Sequence, residues 1–592
     1  MLAALVILPM VVGAFVALIL GSRNRYTPYI ALASSIISLI IAALMLNSPQ
    51  QSQNVAWFTL GTSSFVLNFA LTPIHMLLLM IVAVITPLIL TYSIGFMRLP
   101  SERSRYYFEI LLFASSMMLF SISGGFLTLF IGWELLGVTS YLLIGFWYAK
   151  ELAPTAARKA ITTILIGDLA MFGAMLMLWN SYDSFSFAVI QNVQHSTAST
   201  VALSLILVAA FTKSAQFPFN EWLPDAMEGP TPVSAFLHSS TMVKAGVFMV
   251  AILLPIYAGY GMLMPILAIG IISTVIGATN ALASTHIKRI LAYSTIEDLG
   301  LMFIALGLNA FGAAIILFVM QTFYKALLFM NAGAIMKSNS TEEVWKSYES
   351  RSYRPLFICA VIGALSLAGL FPLSGFFGKQ SVEGASMSNI PVYAILVVVQ
   401  LITGLYIFRW LLIPARKAPD SLAPKVRGGF KAVPMAMKLP IYILAAFVVV
   451  ASALYLFVPS YIDAVVPPIS LPGAAAATIL VIATLLVSYY VYLGKSAIKA
   501  EQYLSRYRRL AILLYNNVFI NLGYIWVAKL FNGIAYAVDR FDYWAYGKVK
   551  LIAGSLNGIG RMLSRMESGN VTTYAVAFVA GLTVLIIIFG LL

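Results

Sequence analysis

Seven ionisable residues, Glu134, Asp168, Lys213, His238, Lys244, Lys325 and Lys379, stand inside or at the ends of long apolar runs in a chain of 592 residues. Carboxylates, amines and an imidazole threaded through apolar sequence are the parts of a proton relay, since each takes up or gives off a proton within the pH range of a cell once its surroundings tune it. A charge at mid-membrane costs several kcal/mol, so such residues read as functional by default. For Asp168 or Lys244 taken singly, the competing reading is a polar contact that only holds two helices together. For the set that reading weakens. Its lysines outnumber its carboxylates, so one lysine is expected to lack a carboxylate and to be hydrated or neutral.

Two of these lysines flank helix breaks. Lys213 precedes Gln216-Phe217-Pro218-Phe219, and Lys379 follows the run from Leu370 to Phe377 that contains Pro372. Proline removes an amide donor and frees a carbonyl, which a membrane tolerates only where buried protein or water satisfies it. Broken helices at matching places in two halves of a chain are the sequence-level mark of an ion path.

Other chemistries find little support. Cys359 is the only cysteine, which excludes an internal disulfide and a thiolate-held iron–sulfur cluster in this chain. Four scattered histidines do not suggest a haem or flavin site, and no residues suggest a metal site. There is no P-loop, no dinucleotide glycine pattern after a strand, no HExxH and no CxxC. The chain is expected to carry no electrons itself.

The elements that must hold these residues are membrane helices. The sequence is 61% hydrophobic and 10% charged, too little polar residue to cover a water-soluble surface. About sixteen runs long enough to span roughly 30 Å of hydrocarbon recur. They fall near 1–21, 27–46, 74–97, 106–123, 125–146, 160–179, 199–219, 231–256, 262–281, 290–308, 310–334, 354–378, 391–414, 439–458, 472–493 and 572–592. The first run has no basic leader and is read as a retained span.

The net charge of +15 is topology, not a nucleic-acid patch. Arg23 and Arg25, Arg98, Arg103 and Arg105, Arg158 and Lys159, Lys288 and Arg289, and the stretch Arg416 to Lys438 all follow odd-numbered spans. The positive-inside rule then puts both termini outside. Glu221, Asp225 and Glu228, after the seventh span, are expected to form an acidic inner mouth without basic partners, drawing cations inward.

Pairing spans four to eight with nine to thirteen gives an odd offset, hence two inverted five-helix units. Between Gly494 and Asn570 there is no proline. There Val527, Leu530, Phe531, Ile534, Val538 and Phe541 recur at helical spacing against Lys529, Asp539, Arg540 and Asp542, which predicts a long amphipathic helix along the inner membrane surface. Gly523, Gly533, Gly547 and Gly554 are the places where it could break into a helix folded back on its own bundle.

The stretch Trp222-Leu223-Pro224-Asp225-Ala226-Met227, followed by Gly229-Pro230-Thr231-Pro232-Val233-Ser234, His238 and Thr241-Met242-Val243, resembles the antiporter-like membrane subunits of respiratory complex I, of the large L or subunit 5 type. So do GWELLGVTSYLLIGFW around Glu134, IKRILAYSTIEDLG from Ile287, FYKALLFMNAG around Lys325 and the C-terminal RMLSRMESGNVTTYA. The resemblance implies a fourteen-helix core of two inverted five-helix units, a lateral helix bracing neighbours, and a terminal span. It also implies that Glu134 and Lys213 form a coupled pair, that His238 and Lys325 continue the proton route, and that Lys379 lies near the exit.

The chain departs from the family at several positions. Gln321 stands where His is common, Lys244 where Thr or a similar residue is, His286 where an acid is usual, and Gln380 where Asp is frequent. Lys244 also occurs in the large subunit of Mrp-type sodium/proton antiporters, which stays open as an alternative. So does a membrane subunit of a related hydrogenase or deazaflavin-oxidising complex. A passive scaffold is disfavoured, because a scaffold has no reason to keep an unpaired lysine beside each break.

The expected organisation is therefore an all-α integral membrane protein. Residues 1–105 hold helices 1–3, 106–256 a first repeat, 257–415 a second, inverted one, 416–494 helices 14 and 15, 495–570 the lateral helix and 571–592 the last span. Its expected function is proton translocation in a complex I-like quinone oxidoreductase, an enzyme only as part of that complex, in the plasma membrane of a prokaryote or another energy-coupling membrane. By the same resemblance, quinone, flavin and iron–sulfur clusters belong to partner subunits, M- and N-type subunits and the lipid bilayer are its partners, and the ion is the proton, with sodium as the other choice.

Overall fold

Why the chain folds as it does follows from its apolar runs. In a computed structural model that describes residues 5–46, 52–60, 63–97, 102–190, 195–493, 518–566, 569 and 571–590, helices fall where those runs were read. Among the described residues 11 helices are long and apolar enough to cross a membrane, and four shorter apolar ones accompany them. In order, the helices that matter for the site are α1 Arg103–Ser121, α2 Phe126–Ile144, α3 Leu152–Tyr182, α4 Thr197–Lys213, α5 Thr231–Ser239, α6 Met242–Ile252, α7 Leu263–Ala283, α8 Ile287–Gly307, α9 Phe311–Asn339, α10 Arg354–Ala368, α11 Ser374–Ser386 and α12 Ile390–Leu412. The helices starting at Thr231, Arg354 and Ile390 each have proline in the first turn, where its missing N–H is no loss. Helices α8 and α9 form the centre of the bundle and are buried along almost their whole length.

The helical architecture carries one addition that the sequence reading did not expect, a hairpin. Strands β1 Ser52–Leu60 and β2 Ser63–Ala70 pair antiparallel, with Val55 opposite Leu67, Phe58 opposite Phe65 and an irregularity between Ala56 and Phe58. Val, Trp, Phe and Thr in this stretch favour a pleated surface. Phe65 stacks between Phe58 and Trp179, with ring centroids 4.5 and 5.0 Å away. The hairpin is tied to the turn between α1 and α2, where Gly124 N–H donates to Asn68 O at 2.8 Å.

The chain divides into two compact units, Met1–Tyr515 and Asn516–Leu592. The second contains a helix, Val518–Met566, of 49 residues, and another, Val571–Gly590. At 1.5 Å per residue the longer one extends about 73 Å. It runs unbroken through Gly523, Gly533, Gly547 and Gly554. Residues 494–517, where the amphipathic segment was expected to begin, lie outside the described residues.

Candidate functional site

Three interruptions shape the interior. At the first, α4 ends at Lys213 and Ala215 takes φ +49°. The carbonyls this leaves are satisfied locally: Phe211 O accepts from Gln216 N–H at 2.8 Å, and Thr212 O accepts from the Trp222 indole N–H at 3.0 Å. Lys213 thus sits in the last turn of a helix, where the dipole favours a cation. At the second, α10 ends at Gly369 with φ +87°, and α11 begins at Ser374, so Pro372 lies between them. The Ser366 hydroxyl accepts from Gly375 N–H at 2.9 Å. Pro218 thus lies beyond the end of α4, and Pro372 between α10 and α11.

The third interruption was not foreseen. The eighth span is two helices, α5 and α6, parted at Ser240 and Thr241. The Thr241 hydroxyl donates to Phe236 O at 2.8 Å, a side chain competing for a helix carbonyl. His238 falls in the last turn before this gap and Lys244 in the first turn after it.

Around the first break, Lys213 Nζ lies 3.6 Å from Asp168 Oδ1 and donates to Trp133 O at 2.9 Å, while the Trp133 indole donates to the same Asp168 oxygen at 2.6 Å. Both charged side chains are buried. Asp168 is on the buried face of α3, and Gly167 beside it lets that helix meet α4: a Cβ there would stand 1.9 Å from Thr212 Oγ1. Glu134 is not the partner. On α2 it shares a face with Val138 and Tyr141, four and seven residues on, and both are exposed, whereas Trp133 and Gly137 face Lys213. The ion pair to Lys213 is thus made by Asp168, and Glu134, half-buried, makes none among the described residues.

Around the second break the charges form a mesh. Lys379 lies 3.3 Å from Glu297 Oε1 and 3.8 Å from Asp298 Oδ1, and Lys325 lies 3.0 Å from Asp298 Oδ2. Hydroxyls complete it: Thr403 and Tyr406 donate to Glu297 at 2.5 and 2.8 Å, Tyr324 donates to Asp298 at 3.0 Å, and Ser294 accepts from Lys325 at 2.6 Å. Glu297 and Asp298, both fully buried, are the residues that sequence reading missed, although they stand in the quoted IKRILAYSTIEDLG. With them and the buried Glu383 counted, carboxylates are no longer outnumbered. Both break lysines are paired, which removes the argument that used unpaired lysines against a scaffold.

Of the four lysines named from the sequence, Lys244 finds no carboxylate within ion-pair distance among the described residues. It donates to Phe318 O at 2.5 Å and to Thr322 Oγ1 at 2.6 Å, both on α9. His238 stacks on Phe329 at 5.3 Å, and neither ring nitrogen has a hydrogen-bond partner among the described residues. Gln321 donates to the His238 carbonyl at 3.5 Å.

The acidic mouth is not bare. Lys159 lies 2.8 Å from Asp225 and 3.6 Å from Glu221, and Arg289 lies 3.5 Å from both Asp225 and Glu228. Sequence reading had seen Lys159 and Arg289 only as topology markers. Beside them opens a cavity of about 500 Å3 whose lining includes Glu102, Lys150, Glu228, Lys288, Glu342 and Thr231, the first residue of the helix that carries His238. At its rim the His286 ring caps α8, accepting from Lys288 N–H at 3.2 Å, and its other nitrogen donates to Glu342 at 2.7 Å. That hydrogen bond pulls the Glu342 carboxyl, in the loop after α9, down to about 2.

Fold and site together define a polytopic helical membrane protein whose broken helices carry buried lysine–carboxylate pairs. Comparison with known proteins narrows this. Residues 123–404 match the family described as "NADH:quinone oxidoreductase/Mrp antiporter, TM", and residues 57–107 match "NADH-Ubiquinone oxidoreductase (complex I), chain 5 N-terminus". Residues 57–107 and 123–404 thus carry the domains of this family of membrane subunits, the first of them that of chain 5.

It is 35% identical over 401 residues to NAD(P)H-quinone oxidoreductase subunit 5, chloroplastic, of Ranunculus macranthus, covering 64% of this chain and 54% of that protein. It is 33% identical over 418 residues to NAD(P)H-quinone oxidoreductase chain 5 of Synechocystis sp., covering 65% and 61%. The matched region thus spans less than two thirds of these relatives' length. In fold it resembles a chain in the structure of the Mrp complex from Dietzia sp., with a TM-score of 0.75, 21% identity, and coverage of 100% of this chain and 63% of that one.

Proposed function

We propose that this chain is a proton-translocating membrane subunit of a complex I-like quinone oxidoreductase, with the redox chemistry and its quinone, flavin and iron–sulfur groups in partner subunits. The observation that carries the reading is that each proline break sets a buried lysine against a buried carboxylate: Lys213 on Asp168, and Lys379 on Glu297 and Asp298. Relatives named as quinone oxidoreductase subunits support the assignment to that kind of complex.

In this reading protons enter from the inner side through the cavity at Thr231 and Lys288 and pass His238 toward the centre. They continue by way of Lys325, Asp298 and Lys379, while the Lys213–Asp168 pair opens and closes as the switch and Glu134 and Lys244 are accessory. Two unit charges about 4 Å apart attract by roughly 4 kcal/mol at an effective dielectric near 20. Moving one charge across 100 mV costs about 2.3 kcal/mol. Opening one pair is therefore an event of the same order as one proton step against the membrane potential.

The architecture belongs to the same proposal. Helices 4–8 within 106–256 and 9–13 within 257–415 form two inverted units, the chain makes sixteen spans with both termini outside, and the 49-residue helix braces M- and N-type neighbours along the inner face. Proline at Val538 should then release partner subunits while the preceding spans still insert, and intact assembly would sink the bracing role. Impermeant labelling of cysteines placed beside Arg105, Arg158 or Lys425 should fail from outside, and clear labelling in intact cells would overturn the orientation.

The test of the pump is Lys213→Arg. Arginine keeps the charge, and so a structural ion pair, but does not release its proton at accessible pH. Proton translocation per electron pair should stop in membranes that hold normal amounts of the assembled complex, and wild-type translocation would remove Lys213 from the relay. A second reading, an Mrp-type sodium/proton antiporter subunit, is favoured by buried Lys244. Sodium/proton exchange without donor:quinone electron transfer in the purified assembly would select it.

A further inference from the structure

One buried carboxylate has no part in the route described so far. Glu383 lies on α11, one turn past Lys379, is nine-tenths buried and makes no ion pair among the described residues. Gln380 Nε2 donates to its Oε2 at 2.5 Å. Lys379 and Glu383 line the same small cavity, with Leu301, Val382, Leu396 and Gln400 completing much of its wall. Its volume is about 10 Å3, near the room one water needs.

Beyond Glu383 the helix meets the loop before residue 471. A Cβ on Gly384 would lie 3.2 Å from Pro467, and one on Gly473 would lie 3.6 Å from Gln380 Oε1. In the orientation proposed above, that loop follows an even-numbered span and faces outside. The order along this edge of the bundle is Glu297, Lys379, cavity, Glu383, outer loop. Gln380 cannot release a proton as an acid would; Glu383, which it contacts, can.

We propose that Glu383 is the proton-release group of this chain, taking protons from Lys379 through a single water and passing them to the outer side. The inference rests on the pumping reading and on its topology. In the transfer, water accepts a proton from the Lys379 ammonium and gives one of its own to a Glu383 oxygen, leaving a neutral amine and a neutral acid. Glu383 then releases its proton outward, and Lys379 is reprotonated from the Asp298 side. No electrons move.

Glu383→Gln keeps the shape and the contact with Gln380 but removes the acid. In membranes with the assembled complex, proton translocation per electron pair should fall at least about fivefold, an amount worth about 1 kcal/mol in the step. Glu383→Asp should keep more than half of it. Gln380→Asp combined with Glu383→Gln, which moves the carboxylate one turn back, should restore translocation. A merely structural role predicts the opposite, with Glu383→Gln pumping normally, or losing pumping only in proportion to lost subunit on a blot. Either result would overturn the proposal. Lys213→Arg in the same membranes separates the levels: if it pumps normally the parent reading fails, and if it is silent while Glu383→Gln pumps normally only this inference fails.

Discussion

The two proline breaks use the same local device and set it in different surroundings. At the first, one lysine meets one carboxylate, with an indole and one backbone carbonyl as the remaining partners. At the second, two lysines share two adjacent carboxylates, and four hydroxyls bind the same groups. A lone pair has two states, closed and open. A mesh has several, because Lys379 lies between two carboxylates and Asp298 between two lysines. The first arrangement suits a switch and the second a store that passes charge along.

The largest effect should come from breaking the lone pair. Asp168→Asn leaves Lys213 buried without a carboxylate, and removing one partner of a buried pair costs about 3–5 kcal/mol. Translocation per electron pair should fall by roughly tenfold or more, with some loss of assembled subunit. Wild-type translocation in this variant would abolish the distinction between the two breaks.

Next in size is a test of the backbone at each. A Cβ on Gly375 would lie 1.8 Å from the Ser366 carbonyl oxygen, a backbone atom that cannot turn aside. One on Gly167 would lie 1.9 Å from Thr212 Oγ1, a side-chain hydroxyl that can. Gly375→Ala should therefore cut the assembled amount several-fold, in line with overpacking costs of about 1–3 kcal/mol, and Gly167→Ala should cut it less. Equal losses on a blot would mean that the α3–α4 approach is as rigid as the second break.

How much of this was legible in the sequence depends on whether the signal is local. Pro218 and Pro372 announce their breaks because proline's ring and missing N–H act within one turn. The break at Ser240 and Thr241 has no proline; it depends on a hydroxyl binding back to Phe236 O, and serine and threonine are common in unbroken helices too. The hairpin was hidden by a search for runs of 18 apolar residues, which passes over alternating strands of nine and eight. Glu297 and Asp298 were visible as a polar pair inside a span and were overlooked. The choice of Asp168 over Glu134 was different in kind. Which face of α2 points inward is set by helices far away in sequence, and only the exposure of Val138 and Tyr141 decides it.

A smaller effect is expected in the mesh. Glu297→Gln leaves Lys379 with Asp298, so translocation should drop only about two- to threefold. Asp298→Asn takes from Lys325 its one carboxylate among the described residues and should cost more. The double variant removes both carboxylates from two buried lysines, and coupled neighbours lose more together than the sum of their single effects. Additive losses, measured as translocation per electron pair, would show that Glu297 and Asp298 work separately and that the second cluster is two lone pairs.

The smallest effect should come from Glu134. The family resemblance makes it the partner of Lys213, but the side of α2 that meets Lys213 carries Trp133 and Gly137, and Glu134 points toward the exposed face. Among the described ion pairs Lys213 is held by Asp168 and not by Glu134, so the attraction of Glu134 is the weaker of the two. Glu134→Gln should leave more than half of the translocation, against the roughly tenfold loss in Asp168→Asn, with subunit content equal in both. A Glu134→Gln loss as large as that of Asp168→Asn would mean that Lys213 alternates between the two carboxylates, and the first break would then resemble the second, with one charge held between two partners.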